Sequence, residues 1–135
     1  MTDVDPNTLK GRDRPLYIKK VLEGFGWKDF QAAAMTGQCM QESYTDCRTN
    51  VWGDKHTAYG ICQWCDTYDK VTGAHSAGRL TDLGKFAIAT NQSMDSIKTQ
   101  AEFINWELTK GSQQNVGRAL KKTKNIDEAL RVAIG

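Results

Sequence analysis

The sequence predicts one mainly α domain that is interrupted once by a long irregular segment. Apolar residues recur at helical spacing before residue 43 and again from about residue 80, and this periodicity is typical of amphipathic helices packed on one core. From Ser43 to Asp66 the period is lost and Thr, Asn, Gly and Asp are frequent, so we expect an irregular loop or a short β-hairpin. A length of 135 residues suits a single domain with one hydrophobic core.

The first two predicted helices are separated by a glycine-containing turn. We expect the first to open near Asp13 and Pro15, because aspartate favours helix N-termini and proline is preferred in the first turn. Its apolar face is Tyr17, Ile18, Val21 and Leu22, and its end is marked by Gly24 and Gly26. The second helix is expected from about Lys28 to Gln41. Its packing side is Phe30, Ala33, Ala34 and Gly37, which are mostly small and allow another helix to approach closely.

Four further apolar patterns predict the remaining helices. They are carried by Leu80, Leu83 and Phe86; by Ile97, Ala101, Ile104 and Leu108, ended by Gly111; by Val116 and Leu120; and by Ile126, Leu130 and Ile134. Asn125 followed by Glu128 is typical of a capping box at the start of the last helix. The sequence stops soon afterwards, so we expect the domain to belong to a longer parent chain.

Charge and hydropathy argue against several function classes. The formal net charge is +2, from 18 basic and 16 acidic residues, and this balance does not predict nucleic-acid binding, for which a basic stripe is typical. No stretch approaches the ~20 apolar residues of a membrane helix, so membrane insertion is not expected. The polar start of the chain lacks the apolar core of a signal peptide, and residues 1–12 are expected to form a flexible lead-in.

Four cysteines, at positions 39, 47, 62 and 65, leave several possibilities open. Cys62-x-x-Cys65 has the spacing of zinc and redox sites, but a zinc knuckle needs a second close pair, and Cys39 and Cys47 are too far apart to supply it. We therefore predict no metal site from these cysteines. Three disulfide pairings are possible, and buried thiols are the alternative, because cysteine packs as a small apolar side chain.

Glu42 is the strongest candidate for chemistry. It lies where the second predicted helix ends, and the helix before it is rich in small apolar residues. A carboxyl group at this place is expected to be partly desolvated, which favours its protonated form, and the negative end of the helix dipole acts in the same direction. A protonated glutamic acid can donate to a leaving oxygen, as cleavage of a glycosidic bond requires. A solvated residue at a helix C-terminus is the alternative interpretation.

An ordered set of motifs follows this glutamate. Glu42-Ser43 precedes Gly53-Asp54 and then Ala58-Tyr59-Gly60-Ile61-Cys62-Gln63-Trp64. Further along are Arg79, a helix with Gln100, Phe103, Glu107 and Leu108, and a Lys110-Gly111-Ser112 stretch. In this order the sequence resembles the phage tail lysozyme family of the lysozyme superfamily, over about Gly24 to Ile134. The first and third motifs are also similar to those of lytic transglycosylases.

The resemblance implies a lysozyme-like helical fold and a glycosidase. The implied enzyme is a muramidase or a lytic transglycosylase that cleaves the β-1,4 bond of peptidoglycan between N-acetylmuramic acid and N-acetylglucosamine, without a metal or an organic cofactor. Glu42 falls on the family's general acid, and Asp54 falls on a family aspartate that we take as the candidate second carboxylate. A turn residue after Gly53 is an equally good interpretation of Asp54. Whether the enzyme is a hydrolase or a transglycosylase stays open.

Three more residues are predicted to bind substrate. Gln63 falls on the glutamine that lines the cleft in the superfamily, and Tyr59 offers a flat ring and a hydroxyl group to a sugar. Both are expected to face Glu42 across the cleft. Ser43 follows the acid and is the third candidate. Bracing of the loop is the alternative role of Ser43 and Gln63.

The cysteines depart from the family pattern. Cys39 and Cys62 fall where small or apolar residues are usual, so packing in the core is expected for both. If a disulfide forms, the expected pair is Cys47 with Cys65, which would pin the two ends of the irregular segment.

The resemblance also implies a biological setting. Residues 13–135 are expected to be the catalytic domain of a tail protein of the virion that acts on the host cell wall. The expected partners are peptidoglycan glycan strands and, through the parent chain, other tail or baseplate proteins. A structural tail or baseplate domain that keeps the fold without activity is one alternative, because fold does not establish function. A free endolysin is the other.

Overall fold

A computed structural model describes residues 5–53, 58–68, 71–72 and 75–134. In these ranges the helices are α1 (Asp13–Gly24), α2 (Asp29–Ser43), α3 (Arg79–Ala89), α4 (Ile97–Thr109), α5 (Gln114–Lys121) and α6 (Ile126–Ile134). A short 3₁₀ helix, Pro6–Thr8, precedes them. The predicted mainly α fold class is therefore confirmed.

A small β-region follows α2, within the segment that lacks helical periodicity. Its strands are β1 (Trp52–Gly53), β2 (Ala58–Tyr59) and β3 (Trp64–Cys65), which form an antiparallel sheet in the order β1-β2-β3. Tyr59 pairs with Trp52 on one side and with Trp64 on the other. A second antiparallel pair joins β4 (Thr67–Tyr68) to β5 (His75–Ser76). The short β-hairpin that the sequence suggested is therefore present, and a third strand extends it to a three-stranded sheet.

The helices enclose one apolar core. Helix α2 contacts α1 and α6, while α4 contacts α1, α3 and α5. Trp64, which is fully buried, meets the ring of Phe103 edge to face at 5.1 Å, and Phe103 in turn stacks on Trp106 at 5.6 Å. The sheet is joined to the helices through this aromatic group, because Trp64 belongs to β3 and the other two rings belong to α4.

Helix α2 extends further than the sequence pattern indicates. It continues to Ser43 and ends where Tyr44 takes a positive φ of 75°. Glu42 therefore lies within the last turn of the helix. At the other end, the side chain of Gln31 accepts a hydrogen bond from the backbone N–H of Lys28 at 2.9 Å, and its amide donates to Leu120 O at 3.0 Å.

The disulfide prediction was wrong. The structure joins Cys39 to Cys62, with Cα atoms 4.7 Å apart, whereas the sequence favoured Cys47 with Cys65. Cys39 lies on the buried face of α2 and Cys62 lies in the turn between β2 and β3, so packing of the sheet on the helix brings the two together. Cys47 is instead a fully buried thiol.

The segment before α1 contacts the helical core in its described part. Asn7 accepts a hydrogen bond from the backbone N–H of Ile97 at 3.0 Å, at the first residue of α4. Within the described ranges, no helix is long and apolar enough to cross a membrane.

Candidate active site

Glu42 is an exposed side chain at the C-terminal end of α2. The amide of Gln38, one turn earlier, donates a hydrogen bond to Glu42 Oε1 at 3.2 Å. The expectation that Glu42 would be partly desolvated is therefore wrong for this conformation. The apolar residues of α2 that suggested desolvation, such as Ala34 and Cys39, face the core instead.

A cavity of about 220 Å³ opens beside Glu42. Its polar lining consists of Gln38, Glu42, Arg79, Glu107 and Gln113. The rest of the lining is mostly apolar, from Met35, Cys62, Ile104, Leu108, Val116, Val132, Ala133 and Ile134. The acid candidate thus borders a concave surface that joins apolar walls to a cluster of charged and amide groups, as is common in binding sites.

Glu107 is the buried anion of this cluster. It is only 2 % exposed, and both of its oxygens accept hydrogen bonds from Arg79, from Nε at 2.8 Å and from Nη2 at 2.7 Å. Trp64 Nε1 also donates to Glu107 Oε1 at 2.8 Å. A bidentate pair of this kind fixes both side chains in orientation as well as in position.

Arg79 is the first residue of α3, and the start of that helix is capped by Asp66. The carboxylate of Asp66 accepts from the backbone N–H groups of Gly78 and Thr81, each at 2.8 Å, and from the Thr81 hydroxyl at 2.7 Å. Burial disfavours the charged form of Arg79, but the hydrogen bonds to Glu107 and its negative charge outweigh this effect and raise the pKa of the guanidinium. Cys65 and, to a smaller extent, Glu42 contribute in the same direction through their charges.

The three predicted substrate contacts are used inside the protein. Ser43 is fully buried, and its hydroxyl donates to Cys39 O at 2.9 Å. Tyr59 is 4 % exposed, and its hydroxyl donates to Asp95. Burial, followed by this hydrogen bond, raises the pKa of the Tyr59 hydroxyl above its ordinary value.

Gln63 is half-buried and braces its own turn. Its amide donates to Val51 O at 3.0 Å and to Gly60 O at 2.9 Å, and its backbone has a positive φ of 50°. None of Ser43, Tyr59 and Gln63 lines the cavity beside Glu42. Ser43 and Tyr59 are buried away from the cavity, whereas Gln63 keeps part of its surface exposed.

Asp54, the candidate second carboxylate, lies outside the described residues. Its neighbour Gly53 is in contact with the side chain of Gln63, since a Cβ atom at Gly53 would overlap Gln63 Oε1. The part that Asp54 plays stays a prediction.

Two groups of the site were not singled out for chemistry from the sequence. Glu107 and Arg79 appeared there only as parts of a family resemblance. A signal was nevertheless present, because Glu107 lies on the apolar face of α4, one helical turn beyond Phe103 and Ile104. A carboxylate on such a face needs a cationic partner, and Arg79 supplies the charge.

The described residues contain no cluster of three or more His, Cys, Asp and Glu side chains arranged to hold a metal ion. The groups that line the cavity can donate and accept protons and hydrogen bonds.

Comparison with known proteins gives one family. The family model described as phage tail lysozyme matches residues 13–134. No curated protein matches the chain, and no solved structure does. Because the family match covers nearly all of the sequence, the chain belongs to the phage tail lysozyme family.

Proposed function

We propose that this protein is a glycosidase of the phage tail that cleaves the β-1,4 bond between N-acetylmuramic acid and N-acetylglucosamine, with Glu42 as general acid. The observation that carries the proposal is the position of Glu42, which lies in the last turn of α2 at the edge of a cavity shared with Arg79 and Glu107. Membership of a lysozyme family supports peptidoglycan as the substrate.

In the proposed step, the Glu42 carboxyl group gives its proton to the glycosidic oxygen as the C–O bond breaks. The leaving sugar departs as an alcohol, and Glu42 becomes a carboxylate. Positive charge develops at the anomeric carbon of the other sugar. The Gln38 amide holds one oxygen of Glu42, which limits the rotation of the carboxyl group.

Two fates of the positively charged sugar correspond to two enzyme classes. In a hydrolase, a second carboxylate stabilises the charge or activates water, and Asp54 is the proposed group. In a lytic transglycosylase, the muramic acid closes on itself to give an anhydro sugar, and no water is consumed. The side chains described beside Glu42 are compatible with both.

Mass spectrometry of digested peptidoglycan tests the proposal. Anhydromuramic ends identify a transglycosylase, and reducing ends at N-acetylmuramic acid identify a muramidase. Reducing ends at N-acetylglucosamine would contradict the proposed bond. Absence of soluble products from walls that a control muramidase digests would favour a silent structural tail domain.

We predict that Asp54→Asn separates the two mechanisms. A hydrolase that uses Asp54 loses most of its turnover, by about 100-fold or more if the group activates water. A transglycosylase that uses the substrate acetamido group keeps most of its turnover. The measurement is the rate of dye release from labelled peptidoglycan, with Asp46→Asn as a control for loss of an aspartate elsewhere in the same segment. If both variants lost the same fraction of the dye-release rate, Asp54 would have no specific part in the reaction.

The proposed setting is the virion tail, with the host cell wall as target. We propose residues 13–135 as the catalytic domain and the tail or baseplate as its partner through a parent chain. Detection of the protein in purified virions tests the location.

A further inference from the structure

We propose that the exposed ring of Tyr44 binds a sugar of the glycan strand by stacking, beside Glu42 at the end of α2. The ligand class is the pyranose ring of an N-acetylhexosamine, whose C–H face can lie against the flat apolar surface of an aromatic ring. The inference rests on the proposed function, because the glycan strand is the substrate proposed there. Tyr44 is assigned to binding, and proton donation stays with Glu42.

The backbone of Tyr44 has a conformation that side chains other than that of glycine rarely permit. Its φ of 75° and ψ of 163° lie in a region populated almost only by glycine, and any other residue is strained there. Hydrogen bonds fix the peptide groups on both sides, since Tyr44 O accepts from Cys47 N–H at 3.0 Å and Ser43 O accepts from Arg48 N–H at 3.2 Å. The turn itself therefore favours glycine and gives no reason for a tyrosine.

Packing in the core does not account for the tyrosine either. Tyr44 is 58 % exposed, and the guanidinium carbon of Arg48 lies over its ring, 4.7 Å from the centroid. Arg48 is exposed as well, so this contact restrains the ring without burying it. A sugar can stack on the face of the ring opposite to Arg48.

The exposed ring of Phe25 offers a comparison. Phe25 also follows the last residue of a helix, α1, and is 51 % exposed, but its φ is −86°, which any residue adopts. An exposed aromatic ring at a helix end therefore does not require a strained backbone. Strained residues other than glycine cluster at binding and catalytic sites, and of these two aromatic residues Tyr44 is the strained one.

Tyr44 also lies at the right place in the chain. It follows Glu42 by two residues, so their Cα atoms are at most about 7 Å apart. Glu42 borders the cavity described above, and the residues after Tyr44 border a second concave surface, which Arg48, Thr49 and Asn50 help to line. An enzyme that cuts a polymer holds sugars on both sides of the bond, and a sugar on Tyr44 would be close to the bond that Glu42 acts on.

The first experiment measures the Kd of soluble glycan strands, freed of their stem peptides, by calorimetry. Glu42→Gln serves as the parent protein, so that the ligand is not cut. We expect Tyr44→Ala and Tyr44→Gly to raise the Kd by about 3- to 10-fold, because each removes the apolar contact of one ring face. Tyr44→Phe keeps the ring and should stay within about twofold of the parent.

Phe25→Ala is the matched control in the same parent. It removes an aromatic ring of similar exposure, and its Kd should equal that of the parent. Phe25 precedes the start of α2, whereas Glu42 lies in its last turn, so about 20 Å of helix lies between them.

The second experiment compares thermal unfolding of the variants. Tyr44→Ala and Tyr44→Gly both lack the ring, but only glycine relieves the backbone. We therefore expect the Tm of Tyr44→Gly to exceed that of Tyr44→Ala by about 3 °C, while the two variants bind glycan equally weakly. A tyrosine with a merely structural role would affect the Tm and leave the Kd unchanged.

Three results would overturn the inference. One is a Kd within about twofold of the parent for both Tyr44→Ala and Tyr44→Gly. Another is a loss of binding confined to strands that keep their stem peptides, because the ring would then recognise the peptide. The third is a Tm of Tyr44→Gly no higher than that of Tyr44→Ala, which would contradict the strained backbone.

The rate of peptidoglycan cleavage by wild type separates this inference from the proposed function. A wild type that cuts peptidoglycan, with Tyr44 variants that bind glycan normally, contradicts the inference alone. A wild type that does not cut peptidoglycan, with glycan binding that depends on Tyr44, contradicts the proposed function alone.

Discussion

The two regions that meet at Glu42 use their polar side chains differently. On the helical wall, defined here as Gln38, Glu42, Arg79 and Glu107, the polar groups border a cavity. In the loop segment, residues 44–53 and 58–66, the polar groups that we expected to bind substrate form hydrogen bonds inside the protein. The polar groups beside Glu42 therefore come mainly from the helices, whereas Tyr59 and Gln63 stabilise the fold of the loop segment.

The loop segment needs this internal bonding because its strands are only two residues long. Strands of that length offer few backbone hydrogen bonds. Gln100 of α4 compensates by accepting from the backbone N–H of Ile61 at 2.9 Å and donating to Thr49 O and Met94 O, each at 2.9 Å. A single buried amide thereby ties three parts of the chain to the core.

Breaking the Cys39–Cys62 disulfide should have the largest effect on how the two regions are held together. The bond joins α2 to the loop segment across a sequence separation of 23 residues. A disulfide that closes a loop of this length lowers the conformational entropy of the unfolded chain, and this stabilises the folded state by about 3 kcal/mol. We expect the free energy of unfolding of Cys39→Ala/Cys62→Ala to fall by about this amount in denaturant titrations. Dithiothreitol should lower the Tm of wild type and leave that of the double variant unchanged; an unaffected wild type would show that the pair does not form in solution.

The buried thiol of Cys47 gives the loop segment a pH dependence of its own. Burial raises the pKa of Cys47 from an ordinary value of 9.0 to about 11. The folded state thus keeps a proton that the unfolded state releases, so stability is lost as pH rises from 9 to 11. The loss is up to about 3 kcal/mol, since each pKa unit corresponds to about 1.4 kcal/mol.

Urea denaturation at pH 8 and pH 11 measures this loss. Cys47→Ala should be less stable than wild type at pH 8 because it leaves a small cavity, but its stability should fall less between the two pH values. The Tyr59 hydroxyl, with its raised pKa, contributes to the remaining fall in both proteins. If the free energy of unfolding fell equally in wild type and in Cys47→Ala between pH 8 and pH 11, the Cys47 thiol would not be buried.

The smallest effect is expected for Tyr59→Phe. The substitution removes the hydrogen bond to Asp95 and keeps the buried ring, so stability should fall by about 1 kcal/mol. Wall-degrading activity should stay within about threefold of wild type, because Tyr59 does not line the cavity beside Glu42. A threefold loss corresponds to less than 1 kcal/mol of transition-state binding. A larger loss of activity in a folded variant would show that the loop segment rearranges and that Tyr59 touches the sugar, as the sequence first suggested.

Sequence periodicity predicted the apolar faces of three helices correctly, but the face predicted for α6, which is Ile126, Leu130 and Ile134, is exposed, and Ala129 is the buried residue of that helix. The apolar spacing of α1, α3 and α4 predicted their cores, and the change of period at residue 43 located the end of α2 to within two residues. Periodicity reports which side of a helix is apolar, and it therefore works wherever burial is one-sided.

The same reasoning failed where the outcome depends on three-dimensional packing. The pairing of Cys39 with Cys62 follows from how the sheet docks on α2, and spacing along the chain contains no information about that docking. The desolvation expected for Glu42 failed for a related reason, since Ala34 and Cys39 of the same helix are buried in the core while the Glu42 side chain is exposed. The Arg79–Glu107 pair joins α3 to α4, and only the fold brings these two charges together.

The most direct test of the central claim is the activity of Glu42→Gln on peptidoglycan, measured as dye release from labelled walls beside wild type. Glutamine keeps the size of the side chain and its polar contact with Gln38 but has no acidic proton. We predict a loss of about 100- to 10,000-fold with an unchanged thermal unfolding curve. Glu23→Gln, a glutamate of α1 that does not line the cavity, is the matched control and should keep full activity. A folded Glu42→Gln that retains more than about a tenth of wild-type activity would contradict the assignment of Glu42 as the general acid, since proton donation is worth at least about 100-fold.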